Sequence, residues 1–586
     1  MKQQTYRRAP RILAAFTALV GLALTGTASA VTIVTSAADN SLAAPLIPGT
    51  LRYAMANAPV GDTITFAPSL NGKTITLKGG QLVLDRYLTI QGPGLEKLAV
   101  SGANLSRVFL TTATGPTGQF AVIADLTIIK GKGVGVNQFG SAVTDGGAVY
   151  NSGHLSLLRC KVTSSKCDGQ GGGIFNMGTV SVSDSTVAYD QAVGDGGGIC
   201  NAQDILIQRC AVFCNTSQGS GGGIQEIGTA VYINSTFASN TAAGTGGGIN
   251  DAGSTINMYN CTVSLNSASF GGGLAVPAFG ASTTLRNSIV AGNSPGVPTP
   301  APDVSDVFLD GSGILISLGH NLIGTTAGTG PGSFLPSDLL NVNPKLGTLK
   351  DNGGTTLTME LLPGSPAINT GDNGLLLPSM TTDQRATFNR IINGTVDIGA
   401  FEYIAPRVLK SGALATLSTC VAGPCNYGTG ADLRRAIRSI QKSLALTLWV
   451  GDSHLTKCGE LVFEFEEEAV ESLLEIVEGG GPCALTAQNA IDDLVLADEL
   501  LARIAIGDAV TGGGQACYIT SANSNLAKGL NALAMGKFHN AMDYYERAWI
   551  DAQHSLGRKC GHDDDDERHE REDRETEDHN HYGDDD

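Results

Sequence analysis

The chain reads as a parallel β-helix of about 25 residues per coil, followed by a smaller, mainly α-helical domain and an acidic tail. Three observations predict this. A triple glycine followed by Ile or Leu recurs at Gly171–Ile174, Gly196–Ile199, Gly221–Ile224, Gly246–Ile249 and Gly271–Leu274, at a constant step of 25 residues. A fixed period in this range arises when each repeat buries its apolar face on the next. A second column, Val162, Val187, Val212, Phe237, Val263 and Val290, keeps nearly the same step. Within each unit the apolar residues alternate, as in Val180-x-Val182 and Ile205-x-Ile207, which is the period of a strand and not of a helix.

Taken in chain order, residues 1–30 read as a secretory signal peptide. Lys2, Arg7, Arg8 and Arg11 form its basic part, Ile12 to Thr25 its apolar part, and Ala28-Ser29-Ala30 its cleavage site. Residues 31–403 form the β-helix, with entry coils at 31–140 and regular repeats at 141–293. A short helix at Thr50–Ala58 is expected to cover the open edge of the first coil, since bare strand edges recruit other chains. Alternating strands follow at Asp62–Phe66, Thr74–Leu77, Gln81–Leu84 and Leu88–Ile90. Looser coils occupy 294–330, and a distinct terminal block occupies 341–403. Residues 407–560 carry three- and four-residue apolar spacing at Ala469–Val477, Gln488–Val510 and Ser524–Ser555, and read as amphipathic helices. Residues 561–586 are an acidic, His-rich tail expected to be disordered by self-repulsion.

Charge and composition narrow the function classes. The net charge is −18, but 14 acids and three Arg at 561–586 account for −11 of it, leaving −7 on the other 560 residues. No basic stripe is present for nucleic acid. No stretch after the signal reaches the length of apolar residues that spans a bilayer. The chain is therefore expected at the cell surface or outside the cell.

One lap apart, residues lie above one another at roughly 4.8 Å, which defines columns. Cys160, Ser185, Cys210, Ser235, Cys261 and Ser288 form a small inward column. Cys160 and Cys210 are two coils apart, beyond disulfide reach, and are expected as buried free thiols. Ser165, Asp190, Asn215, Asn240, Asn266 and Asn293 form a corner column. Its asparagines are expected to hydrogen-bond as a ladder and to take the left-handed conformation. Arg159, Asp184, Arg209, Asn234, Asn260 and Asn287 form a third column. Its Arg159, Asp184 and Arg209 read as a surface charge ladder or as a patch for an acidic sugar. Asp145, Asp168, Asp184, Asp190, Asp195, Asp204, Glu226 and Asp251 read as outward acids. Asp145, Asp168 and Asp195 sit before glycine corners and are the candidate catalytic acids, or ligands for a calcium ion, the one cofactor the pattern suggests; no metal site is assigned. In the terminal block, Arg385 is expected to pair a carboxylate among Asp383, Asp397 and Glu402 and lock the last coil. Cys420, Cys425, Cys458, Cys483, Cys517 and Cys560 are an even set in an exported chain, and so disulfide candidates.

Residues 31–403 also resemble known bacterial surface proteins. The Gly-Gly-x-Ile corner followed by Phe237-Ala-Ser-Asn240 resembles the repeat of polymorphic outer-membrane proteins. Asn343-Pro-Lys-Leu-Gly347, Asp351-Asn-Gly-Gly354, Gly364-Ser-Pro-Ala367, Thr382-Asp-Gln-Arg385 and Asp397-Ile-Gly-Ala-Phe-Glu402 resemble the choice-of-anchor Q domain. Gly49-Thr-Leu-Arg-Tyr-Ala54 and Gly61-Asp-Thr-Ile-Thr-Phe66 are similar to the entry coils of those proteins. The resemblance implies an all-β right-handed parallel β-helix of the pectin-lyase-like type. Ala386 departs from the pattern, which has glycine after Asp-Gln-Arg, and no sorting motif follows the block. The family has no common reaction. The expected function is thus that of an exported, non-catalytic scaffold for adhesion or glycan binding, with extracellular polysaccharide or a host or cell-surface component as partner. The competing expectation is a polysaccharide lyase or glycoside hydrolase, which needs clustered carboxylates on neighbouring coils.

Overall fold

The computed structural model describes residues 31–40, 45–114, 118–277, 280–295, 306–329, 332–386, 388–392, 394–421 and 430–558. The expected signal at 1–30, the acidic tail, Cys425 and Cys560 lie outside them. The chain divides into two units after Tyr403.

The first unit is a parallel β-solenoid. One sheet of eleven strands runs from Val31–Val34 to Ile314–Ser317, a second of eleven from Lys73–Thr76 to Leu339–Leu340, and a third of nine from Leu82–Leu84 to Val307–Leu309. A narrower sheet of six joins Lys166–Cys167 to Ser294–Pro295 at the outer corner. Ile174, Ile199, Ile224, Ile249 and Leu274 pair in parallel register, one directly above the next, and all are buried. The expected columns are therefore real. Each fully buried aliphatic side chain in them contributes about 1.5–3 kcal/mol against solvent exposure. The glycine corners have a steric cause. Gly221 has φ 68°, and a Cβ there would lie 2.6 Å from the Ile224 carbonyl oxygen.

The entry cap forms as expected. Helix α1, Leu51–Asn57, is N-capped by the Thr50 hydroxyl, which accepts from Tyr53 N–H at 3.2 Å. It contacts Val31–Val34 and Leu82–Leu84, the latter being the edge strand of the nine-stranded sheet. Leu51, Ala54 and Met55 enter the solenoid core. Arg52 fixes its orientation by a two-pronged pair with Asp39, at 2.8 and 2.9 Å, and by donating to the carbonyls of Gly80 and Gln81. Burial alone raises the Asp39 pKa, but hydrogen bonds from Arg52, Lys78 N–H and Gly79 N–H hold it below the usual carboxylate range.

The terminal block departs from expectation. It does not continue the spiral as a last coil. The second sheet ends at Leu339–Leu340, and the chain turns back as an antiparallel hairpin, Leu346–Lys350 with Thr358–Leu361. The block then lies along the outside of the solenoid. Met359 packs on Ala188, Ala211, Phe213 and Ala238, and Met380 packs on Leu206, Val231 and Ile233. The cause is the outward face of these coils, which carries apolar residues that need cover. Gly354 is required for the fit: it has φ 88°, and a Cβ would lie 2.6 Å from the Arg385 Cα. Ala386 sits at φ 63°, the left-handed conformation that favours glycine.

The second unit is helical: α2 Pro406–Val421, α3 Gly430–Ser443, α4 Glu460–Gly479, α5 Ala484–Thr511, α6 Ala516–Ala534 and α7 Phe538–Ser555. Helices α4 to α7 match the periodic segments, and α6 and α7 pack on each other as a helical hairpin. Helices α2 and α3 were not read from the sequence. Helix α2 carries Lys410, which is wholly buried and donates to Asp498 at 2.7 Å and to Glu466. Of the disulfide candidates, Cys458 and Cys483 are disulfide-bonded. Cys420 and Cys517 are free thiols, a correction to their place among the disulfide candidates. No helix of the described residues is long and apolar enough to cross a membrane.

Candidate functional site: corner ladders and a neutral groove

The corner column forms the expected ladder, with a different backbone. Asn215 donates from its backbone N–H and its side-chain Nδ2 to Asn240 Oδ1, both at 3.0 Å, and Nδ2 also reaches the Val187 carbonyl at 3.0 Å. Asn240, Asn266 and Asn293 repeat the pattern upward, and Asp306 ends it, accepting both Asn293 donors at 2.9 and 2.8 Å. The left-handed conformation falls one residue earlier, on Ser164, Tyr189, Cys214, Ser239 and Leu265, and not on the asparagines. Asp190 is the first rung. It takes the Ser165 N–H on Oδ1 at 2.7 Å, while its Oδ2 has no partner. Burial raises its pKa well above the carboxylate range.

A second ladder escaped the sequence reading. At the turn from the third sheet to the first, Asn151 donates to Asn176 at 2.7 Å, Asn176 to Asn201 at 2.6 Å, and Asn201 to Glu226 at 2.7 Å. Its signal was a 25-residue echo of asparagines two residues after each corner Ile or Val. Glu226 also accepts from the Tyr232 hydroxyl, and burial pushes its pKa up to about 8. Asp251, in register above Glu226, takes the Ser254 and Thr283 hydroxyls. Asp190, Glu226 and Asp251 are thus interior groups and not outward acids. Cys160, Cys210 and Cys261 are buried thiols, as expected. Each donates its backbone N–H to the Ser of the next coil, and burial pushes each thiol up to about 12.

The third column is where left-handed backbone and charge combine. Arg159, Asp184, Arg209, Asn234, Asn260 and Asn287 all have positive φ. The expected Arg–Asp–Arg stack resolves into two forked pairs. Arg209 grips Asp184 with two contacts of 2.6 Å, and Arg159 grips Asp125 at 2.7 and 2.6 Å. Asp125 was not assigned a role, because its separation of 34 residues breaks the period. Each guanidinium thus engages one carboxylate through Nε and Nη2. Above Arg209 the column turns to asparagine, and there the terminal block docks. Asn234 donates to the Thr382 carbonyl at 2.7 Å, Asn260 to the Asp397 carbonyl at 3.2 Å and Asn287 to the Asp372 carbonyl at 3.0 Å. Within the block Arg385 pairs Asp383 at 2.7 Å, as expected, and lies between the rings of Phe388 and Phe401. Asp397 accepts from Asn369 N–H at 2.6 Å and Tyr403 N–H at 2.5 Å. Glu402 accepts from Asp397 N–H at 3.1 Å. Burial raises the pKa of both, Glu402 the more.

The three acids before the glycine corners do not converge. Asp145 and Asp195 lie in one column with Gln170 between them, since Asp145 accepts the Gln170 N–H and Asp195 the Ser220 N–H, both at 2.8 Å. Asp168 follows Cys167, which pairs with Ala192, and so belongs to the neighbouring column with Val193. Among the described residues no three His, Cys, Asp or Glu are grouped to hold a metal ion.

What the first unit does offer is a groove of about 520 Å³, where the upper end of the Asn ladder meets the returning hairpin. Ser264, Thr325, Asn341, Asn343 and Thr348 supply its hydroxyls and amides, and Leu265, Pro344 and Leu346 its apolar surface. Its single carboxylate, Asp306, is committed to Asn293. The volume lies in the range of small-ligand sites. Asn343 belongs to a motif read from the sequence; Thr325, Asn341 and Thr348 carried no periodic signal. Comparison with known families, with curated proteins and with solved structures finds no match.

Proposed function

We propose that the protein is an exported scaffold of the cell surface or extracellular space, related to choice-of-anchor Q proteins, which binds a neutral glycan without cleaving it. The observation that carries the reading is the groove: uncharged amides and hydroxyls set beside a half-exposed Leu265 and the Pro344 and Leu346 side chains. Sugar hydroxyls need many modest hydrogen-bond partners, and the C–H face of the ring needs apolar contact. The commitment of Asp145 and Asp195 to backbone amides supports binding over turnover. The basic, apolar and Ala-x-Ala segments of residues 1–30 support export.

The test uses protein starting at Val31. Glycan-array binding to a neutral polysaccharide is expected, with affinity falling at least tenfold in Asn343→Ala/Thr348→Ala. The same glycans, and polygalacturonate with calcium, are followed for new ends. Steady product release abolished by Asp168→Ala or Asp195→Ala overturns the reading in favour of a lyase or hydrolase.

A further inference from the structure

The helical unit has a pocket of its own, about 440 Å³ in volume, bounded by the hairpin at Trp449–Leu455, helices α5 and α7, and Arg558. Its floor is apolar: Leu501, Ala505 and Trp549 are buried there, with Ile504 half-buried beside them. Its rim is cationic. Lys457 and Arg558 are both exposed, and neither forms an ion pair among the described residues. His454 is held by Asp508, with Nε2 3.2 Å from the carboxylate, so the one acid of the lining is engaged.

We infer that this pocket binds an organic carboxylate with an apolar body, the carboxylate taken by Lys457 and Arg558 and the hydrocarbon laid on Leu501, Ile504 and Trp549. Residues 404–558 contain 18 acids against 12 Lys and Arg, so carboxylates are plentiful, yet the lining holds one carboxylate, Asp508, and that one pairs with His454. An arginine fork matches a carboxylate in two parallel hydrogen bonds. An apolar floor under that fork rewards a ligand that brings both features, since buried apolar area drives affinity and the charge fixes orientation. Inorganic anions lack the body, and neutral lipids lack the head. The site is independent of the groove in the first unit and of the reading drawn from it.

The test is calorimetric titration of the protein starting at Val31 with decanoate, 1-decanol and acetate. Decanoate is expected to bind at least tenfold more tightly than either of the others. Lys457→Ala/Arg558→Ala should remove at least tenfold of that affinity with an unchanged circular-dichroism spectrum and melting temperature. Ile504→Trp, which narrows the floor, should weaken decanoate binding while both cations remain. Equal binding of decanol, or no binding of decanoate, overturns the assignment. Decanoate binding that emerges only after residues 562–586 are deleted also overturns it, and gives the pocket to the chain's own acidic segment.

Discussion

Asp190 occupies a rung built for asparagine. At Asn215 the side-chain NH2 donates to the carbonyl 28 residues back, and the corresponding oxygen of Asp190 is buried without a partner. Only a protonated carboxyl supplies a donor there, and burial raises the pKa accordingly. A folded-state pKa above the unfolded value means that the favourable contribution is complete below about pH 4 and is lost as pH rises toward the folded value. Asp190→Asn is therefore expected to match the wild type near pH 4 and to be more stable by about 1–3 kcal/mol above neutrality, the scale of one buried unsatisfied group. Thermal melts of both proteins from pH 4 to 9 check this. The fully buried ladder residues were partly legible: the Asn repeat was visible, but nothing in the period distinguishes an inward Glu226 from an outward acid. That difference lies in Tyr232 and Asn201, which come from the same and the preceding lap.

At the scale of elements, Gln384 ties the terminal block to the solenoid and to the hairpin at once. Gln384 is wholly buried. The two N–H groups of its Nε2 are shared among Cys210 O at 3.1 Å, Thr356 Oγ1 at 3.0 Å and Leu357 O at 3.0 Å, while its Oε1 accepts from Thr236 Oγ1 at 2.6 Å. It thus joins solenoid, hairpin and block through a single amide. Gln384→Ala leaves these groups unpaired and is expected to cost about 3 kcal/mol, felt first as faster hydrogen exchange and proteolysis across 341–403, with the coils at 149–251 still protected. Uniform loss of protection along the solenoid would contradict the clamp. The sequence did mark the docking line, because the third column changes from Arg and Asp to Asn at Asn234. It did not say what docks there. Gln384 and Cys210 are 174 residues apart, and a period of 25 carries no information about a contact of that range.

For the whole molecule, vertical registry is the fact from which ladders, clamp and groove all follow. Repetition made it readable: glycine corners, valine column and asparagine column all report the same lap. The groove was not readable, because it forms where the period ends and the chain reverses. Registry has a direct chemical test on the exposed corner. Thr216 and Thr241 are parallel partners in adjacent coils, and both are exposed, at a spacing compatible with a disulfide. In Thr216→Cys/Thr241→Cys, mild oxidation followed by peptide mass mapping should give the 216–241 crosslink in most molecules, and Thr216→Cys/Ser267→Cys, two laps apart, should give none within a chain. Absence of the first crosslink, or equal yield of the second, would contradict the stacked solenoid.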